Sequence, residues 1–363
     1  MTTILNQYKN KRVLVTGHTG FKGAWLSIWL HQLGAELSGI ALDPQHPDGV
    51  FSRSGIGQRM NDHRADIRDL DQVMAIFTAE QPEIVFHLAA QPLVLDSYRD
   101  PVGTFAINTQ GTAHVLEAIR HTPSVRAAVM ITTDKCYENR EWVYGYREID
   151  PMGGHDPYSA SKGAAELVIS AYRRSFFSKP GTAAVASARA GNVIGGGDWS
   201  ENRLVPDIIR SMQNGQTLDI RNPAAVRPWQ HVVEPLYGYL LLAQKLLEAP
   251  GPFAEAWNFG PLPDSVHPVG SMVEAFFQYF REQNIRADWR DVSDPNQAHE
   301  AGLLMLDISK AINRLRWRPA LTFPETIRMT ADWYLRYAQT DVLTLCQEQI
   351  KQYENLWNSR NGN

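Results

Sequence analysis

The sequence predicts an α/β protein: a doubly wound parallel sheet with a smaller, mixed α/β lobe towards the C-terminus. The first reason is an apolar run, Val13–Val15, that stops at glycines spaced G-x-x-G-x-x-G and leads into an apolar helical pattern. The second is that later continuous apolar runs alternate with helical segments, as in sheets buried on both faces. The third is that this alternation weakens after about residue 190, where tryptophans, prolines and loops become frequent.

The glycine-rich turn after the first strand is typical of a dinucleotide-binding loop of the Rossmann type. It points backbone N–H groups and a helix N-terminus at an anion such as a pyrophosphate. The alternative is a glycine-rich turn without a ligand, but the strand before it and the helix after it favour the cofactor. We expect the loop residues around the pyrophosphate to be Gly17, Thr19, Gly20, Phe21, Lys22 and Gly23.

Composition narrows the classes of function. Of the 363 residues, 44% are hydrophobic and 20% charged, as in an ordinary globular protein, and the net charge is -4. No basic block suggests nucleic acid. The polar segment Met1–Arg12 lacks a signal-peptide core, and the apolar stretch Leu236–Leu247 is too short to span a bilayer. Cys136 and Cys346 have neither pair nor metal-ligand spacing, so we expect a cytoplasmic protein without disulfide or metal.

The second strand is expected at Ala35–Leu42 and ends at Asp43. A carboxylate there can accept hydrogen bonds from a ribose diol and would repel a 2′-phosphate, so Asp43 favours NAD over NADP. The alternative is a simple turn residue before Pro44. Further on, Asp66 and Ile67 are expected beside the adenine, although Asp66 could instead cap the following helix.

The run Ile84–Ala90 reads as a buried parallel strand bounded by prolines. Its end has small side chains where a flat cofactor could lie, so Leu88, Ala89 and Ala90 are expected to contact the cofactor. The helix that follows contains Asn108, which we expect to brace the neighbouring strand and to lie in the same site.

Two further segments contain ionisable groups. The run Ala127–Lys135 is an apolar strand whose end is polar, and strand ends of open α/β sheets form the ligand crevice. Tyr158 and Lys162 stand four residues apart on one helix face, where the ammonium should lower the pKa of the phenol. A lone Tyr-x-x-x-Lys is common by chance. After a nucleotide fold and the strand end at Thr133, it indicates proton transfer.

The domain organisation follows from where the alternation changes. Residues 1–190 are expected to form the NAD-binding domain, with a returning segment at about 228–255. Residues 191–227 and 256–357 are expected to form the substrate lobe. The segment from Trp333 to Asn363 is predicted to be a polar-faced helix with a disordered tip.

The ordered set of motifs resembles the extended short-chain dehydrogenase/reductases that act on nucleotide sugars. The resemblance covers nearly the whole chain and includes the glycine loop, Tyr158 with Lys162, Arg227–Val232, Trp257–Gly260 and Asp307–Lys310. Within that family, Thr-Thr-Asp-Lys-Cys-Tyr at 132–137 is similar to the CDP-glucose 4,6-dehydratases. The resemblance implies NAD as cofactor and CDP-glucose as substrate.

The resemblance also implies a role for each catalytic side chain. Tyr158 removes the proton of the sugar 4-hydroxyl while the C4 hydride goes to NAD. Lys162 holds the phenolate and the nicotinamide ribose, and Thr133 hydrogen-bonds the 4-oxygen. Asp134 protonates the departing 6-oxygen, after which the hydride returns to C6 and gives the CDP-4-keto-6-deoxy sugar.

Lys135 stands where related dTDP-glucose dehydratases have a glutamate that removes the C5 proton. An ammonium cannot do so unless burial or a nearby positive nicotinamide favours the neutral amine. Lys135 is therefore either the C5 base or an electrostatic clamp on the enolate.

The resemblance assigns the remaining contacts. Thr132 joins the cofactor set, and the substrate contacts are Gln91, Asn192, Arg203, Leu204, Arg227 and Asn258. Related enzymes have an arginine where this chain has His299–Gly302, so the diphosphate should rely on Arg227, helped by Arg203 and Asn192. Arg227 could instead form a structural salt bridge.

Three competing functions remain. A nucleotide-sugar 4-epimerase shares the tyrosine, lysine and threonine but needs no acid–base pair for the 6-position, so Asp134 and Lys135 argue against it. A dehydratase for a dTDP- or GDP-hexose differs only in a few base contacts. A catalytically silent NAD-binding scaffold would be expected to have lost the tyrosine or the lysine. The expected assembly is a homodimer or homotetramer.

Overall fold

Residues 6–293 and 303–362 are described by the structure, which is a computed structural model. Its centre is a seven-stranded, all-parallel sheet with the order β11-β6-β5-β4-β1-β2-β3. The strands of this sheet are β1 Arg12–Thr16, β2 Glu36–Ala41, β3 Asn61–Arg64, β4 Ile84–His87, β5 Ala127–Ile131, β6 Ala184–Ala190 and β11 Ala256–Phe259. The predicted doubly wound α/β fold is confirmed.

The order of the strands places the ligand crevice. β1 pairs with β2 on one side and with β4 on the other, so the winding reverses between β1 and β4. Ligands of open α/β sheets bind outside the carboxyl ends of the strands at such a reversal. The glycine loop, Leu88–Gln91 and Thr132–Lys135 all follow carboxyl ends near this point.

Helices cover both faces of the sheet. They are α1 Phe21–Gln32, α2 Val50–Ser54, α3 Leu70–Glu80, α4 Val94–Arg99, α5 Pro101–Phe105, α6 Gly111–Arg120, α7 Pro157–Ser175, α8 Leu204–Gln213, α9 Val233–Glu248, α10 Pro250–Phe253, α11 Val269–Glu282, α12 Phe323–Arg336 and α13 Val342–Asn361. A π-helical turn, Ala106–Gln110, joins α5 to α6. One apolar core includes residues of α1, α9, α12 and α13, and the other includes residues of α3, α6 and α7.

Outside the main sheet, the described residues form three two-stranded sheets. They pair β7 Val193–Ile194 with β10 Gln230–His231, β8 Leu218–Ile220 with β13 Trp289–Asp291, and β9 Val226–Pro228 with β12 Val266–Pro268. The helix α9, which lies within the predicted returning segment, packs against β5 and β6. The predicted boundary at residue 256 is wrong, because β11 pairs with β6 and completes the main sheet.

The C-terminal segment differs from its prediction. It forms two helices, and α13 packs on α1 through Trp29 and Tyr353, whose rings lie 5.9 Å apart edge to face. Trp333, Tyr353 and Trp357 are buried, so these helices belong to the core. Asn363 lies outside the described residues. Across the described ranges, every helix is either too short or too polar to cross a bilayer.

Candidate active site

The glycine loop after β1 is shaped by contacts that exclude side chains. Gly17 has φ +74°, and a Cβ there would lie 2.7 Å from the backbone nitrogen of Ala89. A Cβ on Gly23 would lie 2.1 Å from the Gly17 carbonyl oxygen. At Gly20 the only neighbour within 4 Å is that same oxygen, at 3.4 Å. The loop thus packs tightly on one side and stays open at Gly20.

The open side faces the N-terminus of α1. Gly20 is the N-cap of this helix and no side chain caps it, so the first N–H groups, including those of Phe21 and Lys22, lack a side-chain acceptor. Such a terminus attracts an anion through its N–H groups and its dipole. The loop and helix therefore fit the pyrophosphate of a dinucleotide.

The carboxyl end of β2 is where the adenosine ribose would lie. Asp43 follows this end with 91% of its side chain exposed, and its Oδ1 is 3.6 Å from Nε of Arg64. Arg64 also donates to the Leu42 carbonyl at 3.1 Å and to Asp62 at 2.7 Å. The Thr19 hydroxyl donates to the same carbonyl at 2.9 Å, which ties the glycine loop to β2.

Asp66 and Ile67 follow β3 with most of their groups already engaged. The Asp66 carboxylate accepts from the backbone and side chain of Arg68, with a closest approach of 2.6 Å. The cap of α3 is Asp69 rather than Asp66, so the capping alternative for Asp66 is wrong. The Ile67 side chain is buried in the core beside Gly111, so a ligand would meet chiefly its backbone.

The loop after β4 is held in place by Asn108. Its amide accepts from the Gln91 N–H at 2.9 Å, and donates to the Gln91 carbonyl at 3.0 Å and to the Ser161 hydroxyl at 2.9 Å. Asn108 therefore ties this loop to α7, between Tyr158 and Lys162. The Gln91 side-chain amide is bonded to Leu93 and Thr104, so it stabilises its own loop in this structure.

The strand β5 is shorter than the predicted run to Lys135. It ends at Ile131, and Asp134–Cys136 form a 3-10 turn capped by Thr133. The Thr133 hydroxyl donates to Asp134 Oδ1 at 3.0 Å and accepts from the Lys135 N–H at 3.3 Å. The turn replaces the strand alternation that would have sent Asp134 and Lys135 to opposite faces of the sheet.

Asp134 is enclosed, whereas Lys135 is half-buried. A Cβ on Gly191 would lie 2.8 Å from Asp134 Oδ2, so the absence of a side chain there makes room for the carboxyl group. Burial raises the pKa of Asp134, opposed by the nearby Lys135 and by the Thr133 hydrogen bond. The shift favours the protonated form, which a general acid requires.

Tyr158 and Lys162 lie in the first turns of α7, which begins at Pro157 with Asp156 as its cap. The Tyr158 hydroxyl is within hydrogen-bond reach of Thr133. Burial raises the pKa of Tyr158 to about 12, so the expected lowering by Lys162 does not describe this structure. Burial also lowers the pKa of Lys162 to about 8, while Glu166 and Cys136 favour its charged form.

Beneath these two side chains is a buried charge pair that the sequence analysis missed. Glu166 accepts from Arg189 at 2.8 Å, from Ser187 at 2.8 Å and from the Thr132 hydroxyl at 2.5 Å. Arg189 holds the pKa of Glu166 below its usual value in spite of burial. Because the Thr132 hydroxyl donates its proton to Glu166, it can only accept a hydrogen bond from a cofactor. The signal was present, since Glu166 continues the Tyr-x-x-x-Lys face by one more turn.

On the substrate side, Arg203 precedes Leu204 at the start of α8 and donates to Asp198 at 3.0 Å. Arg203 is among the charges that act on Tyr158, and Lys22 is among those that act on Asp134. Burial, followed by Arg203, lowers the pKa of Lys22 to about 8. The structure thus brings Lys22, predicted for the cofactor, close to the acid as well.

Asn192 and Arg227 lie on the loop after β6 and on β9. Asn192 and Arg227 are both half-buried. The Asn192 carbonyl accepts from the Gln230 N–H at 3.4 Å. Arg227 donates to the Val226 carbonyl at 2.9 Å. The segment His299–Gly302, noted for its missing arginine, lies outside the described residues.

Asn258 is a correction. It was expected to bind substrate, but it is fully buried in β11. Its amide accepts from Tyr137 at 2.7 Å and donates to the carbonyls of Tyr146 and Asp307 at 2.8 and 3.1 Å. All of these partners belong to the protein, so Asn258 joins the β5 loop to the second lobe.

A metal centre has no support in the described part of the chain. Within residues 6–293 and 303–362, His, Cys, Asp and Glu side chains do not gather in groups of three or more that could hold an ion.

The fold is shared with solved enzymes that act on nucleotide sugars. A UDP-glucose 4-epimerase from Thermotoga maritima, solved with UDP-glucose, has a TM-score of 0.75 at 23% identity and covers 90% of this chain and 99% of its own. A dTDP-glucose 4,6-dehydratase from Streptomyces venezuelae, solved with NAD, has a TM-score of 0.73 at 23% identity, with coverages of 95% and 99%. At such identities the likeness establishes the fold alone.

Sequence comparison identifies the family within that fold. The family model described as GDP-mannose 4,6 dehydratase matches residues 14–330. The CDP-glucose 4,6-dehydratase of Salmonella typhimurium is 46% identical over 347 residues, which are 94% of this chain and 96% of that protein. The chain belongs to this family of nucleotide-sugar 4,6-dehydratases.

Proposed function

We propose that the chain is an NAD-dependent 4,6-dehydratase acting on CDP-glucose. The observation that carries the proposal is the turn at Asp134–Cys136, which holds an enclosed carboxyl and an amine next to Thr133 and Tyr158. The 46% identity to the Salmonella enzyme supports the choice of CDP-glucose. An epimerase would need the tyrosine, lysine and threonine but not the acid and the amine.

The cofactor is held by the elements that meet at the sheet reversal. The open glycine loop and the uncapped start of α1 bind the pyrophosphate. Asp43 binds the adenosine ribose, and Leu88–Ala90, after the end of β4, contact a flat ring of the cofactor. When bound, NAD supplies a site that accepts hydride from C4 and later returns it to C6.

Tyr158 and its neighbours handle the 4-hydroxyl. Its phenol lies beside the Thr133 hydroxyl, so a substrate 4-oxygen near both can lose its proton to the tyrosine while Thr133 orients it. Lys162 lies one turn along the helix, where its ammonium can stabilise a phenolate. The buried ion pair of Glu166 and Arg189 lies beneath these side chains and holds α7 against β6.

Asp134 and Lys135 handle the loss of water. The C4 ketone acidifies the C5 proton, which Lys135 takes as a neutral amine, and protonated Asp134 gives its proton to the departing 6-hydroxyl. One C5–H and one C6–O bond break, a C5–C6 double bond forms, and one water leaves; C5 then regains a proton when the hydride reaches C6, which gives the 4-keto-6-deoxy sugar. If Lys135 keeps its charge, it stabilises the enolate and another base takes the proton.

The test is a panel of CDP-, dTDP-, UDP- and GDP-linked hexoses offered with NAD. We expect the 4-keto-6-deoxy product, followed by its absorbance in alkali, from CDP-glucose at the highest kcat/KM. Interconversion of epimers without loss of water would establish the epimerase instead. Higher kcat/KM with dTDP-glucose or a GDP-hexose would keep the dehydratase and change the base. NAD binding without any turnover would indicate a scaffold.

A homo-oligomer is proposed from an exposed apolar surface. α4 and α5 pack on α7, and these three neighbouring helices have large exposed apolar side chains: Leu95, Tyr98, Val102, Phe105 and Leu167. Contiguous apolar patches mark interaction sites, and a second copy can pair the same face by two-fold symmetry. Val102→Glu should convert the homodimer or homotetramer to smaller species in sedimentation, whereas an unchanged mass would place the interface elsewhere.

A cytoplasmic setting is proposed from the two cysteines. Cys136 and Cys346 are both free and buried in the structure. Disulfides are common in oxidising compartments and rare in the cytosol. Localisation of a tagged chain by fractionation tests this assignment.

A further inference from the structure

The end of β2 has two charges of opposite sign where only one was expected. Asp43 was predicted to select NAD, and the structure adds Arg64 at the end of the neighbouring strand β3. Ala41 and Arg64 are register partners, so the guanidinium lies across the end of β2 and donates to the Leu42 carbonyl.

Arg64 is held in a fixed position. Asp62 accepts one of its N–H groups at 2.7 Å, the Phe51 ring lies 5.0 Å from its guanidinium carbon, and two-thirds of its side chain is covered. Asp43, in contrast, is almost fully exposed and approaches Nε only to 3.6 Å. The arginine is therefore the preorganised partner and the aspartate is the removable one.

The 2′-position of the adenosine ribose determines which of these two groups, Asp43 or Arg64, a cofactor would use. A carboxylate at the end of the second strand hydrogen-bonds a free 2′-hydroxyl, whereas a nearby arginine accommodates a 2′-phosphate. Guanidinium groups bind phosphate through charge-assisted, often bidentate hydrogen bonds. This chain has both a carboxylate and a guanidinium at the end of β2, and the Asp43 carboxylate lies beside the Arg64 guanidinium.

We infer that Arg64 is a latent binding group for the 2′-phosphate of NADP, and that the Asp43 carboxylate blocks the Nε side of its guanidinium, which neither Asp62 nor the Leu42 carbonyl uses. The inference rests on the proposed cofactor site and adds a determinant of cofactor choice within it. It makes Asp43 responsible for discrimination in two ways, because the carboxylate repels the phosphate and also occupies its cation.

The test is a set of four variants whose Kd values for NAD and NADP are measured by calorimetry without sugar substrate: Asp43→Asn, Arg64→Met, the double variant of these two, and Arg12→Met combined with Asp43→Asn. We expect wild type to prefer NAD. Asp43→Asn should tighten NADP binding by roughly 10- to 100-fold, the size of one charge-assisted hydrogen bond. The double variant should lose most of that gain, which is the signature of an interaction through Arg64.

Arg12→Met is the matched control, because Arg12 is a partly exposed arginine at the other end of the sheet. Combined with Asp43→Asn, it should leave the gain in NADP affinity intact and so exclude an effect of net charge. Thermal melting and NAD affinity report whether each variant folds, and Arg64→Lys replaces Arg64→Met if the latter does not. Because lysine has the charge but not the planar guanidinium, the Arg64→Lys variant should retain only part of the gain in NADP affinity.

The inference would be overturned by an Asp43→Asn variant that gains no NADP affinity, or by a double variant that gains as much as Asp43→Asn. Wild type that binds both nucleotides equally would also overturn it, since Asp43 would then block nothing. Wild type that binds neither nucleotide would remove the proposed cofactor site itself.

Discussion

At the candidate site, burial affects the pKa values of single residues more than their neighbours in sequence do. Burial raises the pKa of Tyr158 to about 12, so the phenol holds its proton near neutral pH, and burial also raises the pKa of Asp134, which favours its protonated form. A base at C4 must therefore release its proton before the reaction or be activated as the site fills. The motif Tyr-x-x-x-Lys identifies the pair but contains no information about its burial.

Tyr158→Phe tests the role at C4. Removal of a general acid–base group costs roughly 10²–10⁴-fold in rate, so reduction of the bound nicotinamide should slow by that factor. Affinity for NAD and for the nucleotide sugar should be nearly unchanged. Tyr172→Phe, on the same helix but bonded to Glu117, is the control. Normal turnover by the Tyr158 variant would remove the phenol from the mechanism.

Lys135→Ala tests the elimination step separately. With Tyr158 intact, the variant should still reduce the bound nicotinamide and then stall at the 4-keto hexose. It should fail to exchange the C5 proton with deuterated solvent, measured by NMR of the recovered sugar.

Asp134→Asn is the companion to that variant, because it removes the acid but not the amine. It should retain some exchange at C5 while losing water slowly. Exchange at the normal rate in Lys135→Ala would show that lysine is not the base, and the clamp would then explain its position.

Among the elements, α7 is the one whose start determines the geometry of the site. Asp156 caps it by accepting from the Ser159 N–H at 2.9 Å and from the Ser159 hydroxyl at 2.6 Å. Asn108 and Glu166 then fix the same helix to the loop after β4 and to β5 and β6. Tyr158 and Lys162 are thus positioned by three separate anchors.

Asp156→Ala should lower the free energy of unfolding by roughly 0.5–2 kcal/mol, the usual cost of a lost N-cap. Because the frayed turn contains Tyr158, kcat should fall as well. Asp69→Ala removes the same kind of cap from α3, which is remote from the reacting groups. The control should lose similar stability in chemical denaturation but keep its kcat. Equal effects of both variants on kcat would deny α7 a special role.

The sequence predicts elements with local patterns well. The glycine turn and the strands that end near Thr16 and His87 follow from apolar runs and turn residues, whereas β5 ends at Ile131, before the predicted Lys135. The place of β11 in the sheet and the burial of Asn258 depend on segments far apart in the chain. Periodicity shows that a face is apolar, but not which other face covers it.

In the whole molecule, a buried carboxylate connects the C-terminal segment to the rest. Glu234 on α9 accepts from the N–H groups of Ala320 and Leu321 at 2.9 and 2.6 Å and from the Tyr353 hydroxyl at 2.7 Å. Burial raises its pKa to about 7, against the opposing effect of these hydrogen bonds. The docking of the last helices is therefore linked to pH.

The sign of that linkage follows from the two states. The folded protein keeps the Glu234 proton up to about pH 7, whereas the unfolded chain releases it near pH 4.5. Its contribution to stability is fully present below pH 4.5 and is lost as pH rises to 7, by up to roughly 3 kcal/mol. Glu234→Gln should remove this part of the pH profile in urea denaturation. Glu36→Gln, at an exposed position, should leave the profile as in wild type, and an identical profile in Glu234→Gln would refute the linkage.

The position of β11 also has a consequence in time. β6 is complete once Ala190 has left the ribosome, but its partner Ala256–Phe259 is made much later. At roughly 5–20 residues per second, the growing chain exposes the unpaired side of β6 for several seconds. An open strand edge is a template for pairing with other chains. A nascent chain that stalls before Ala256 therefore exposes an unpaired strand edge that can pair with other nascent chains on the polysome. A chain that has passed Phe259 can cover this edge with β11.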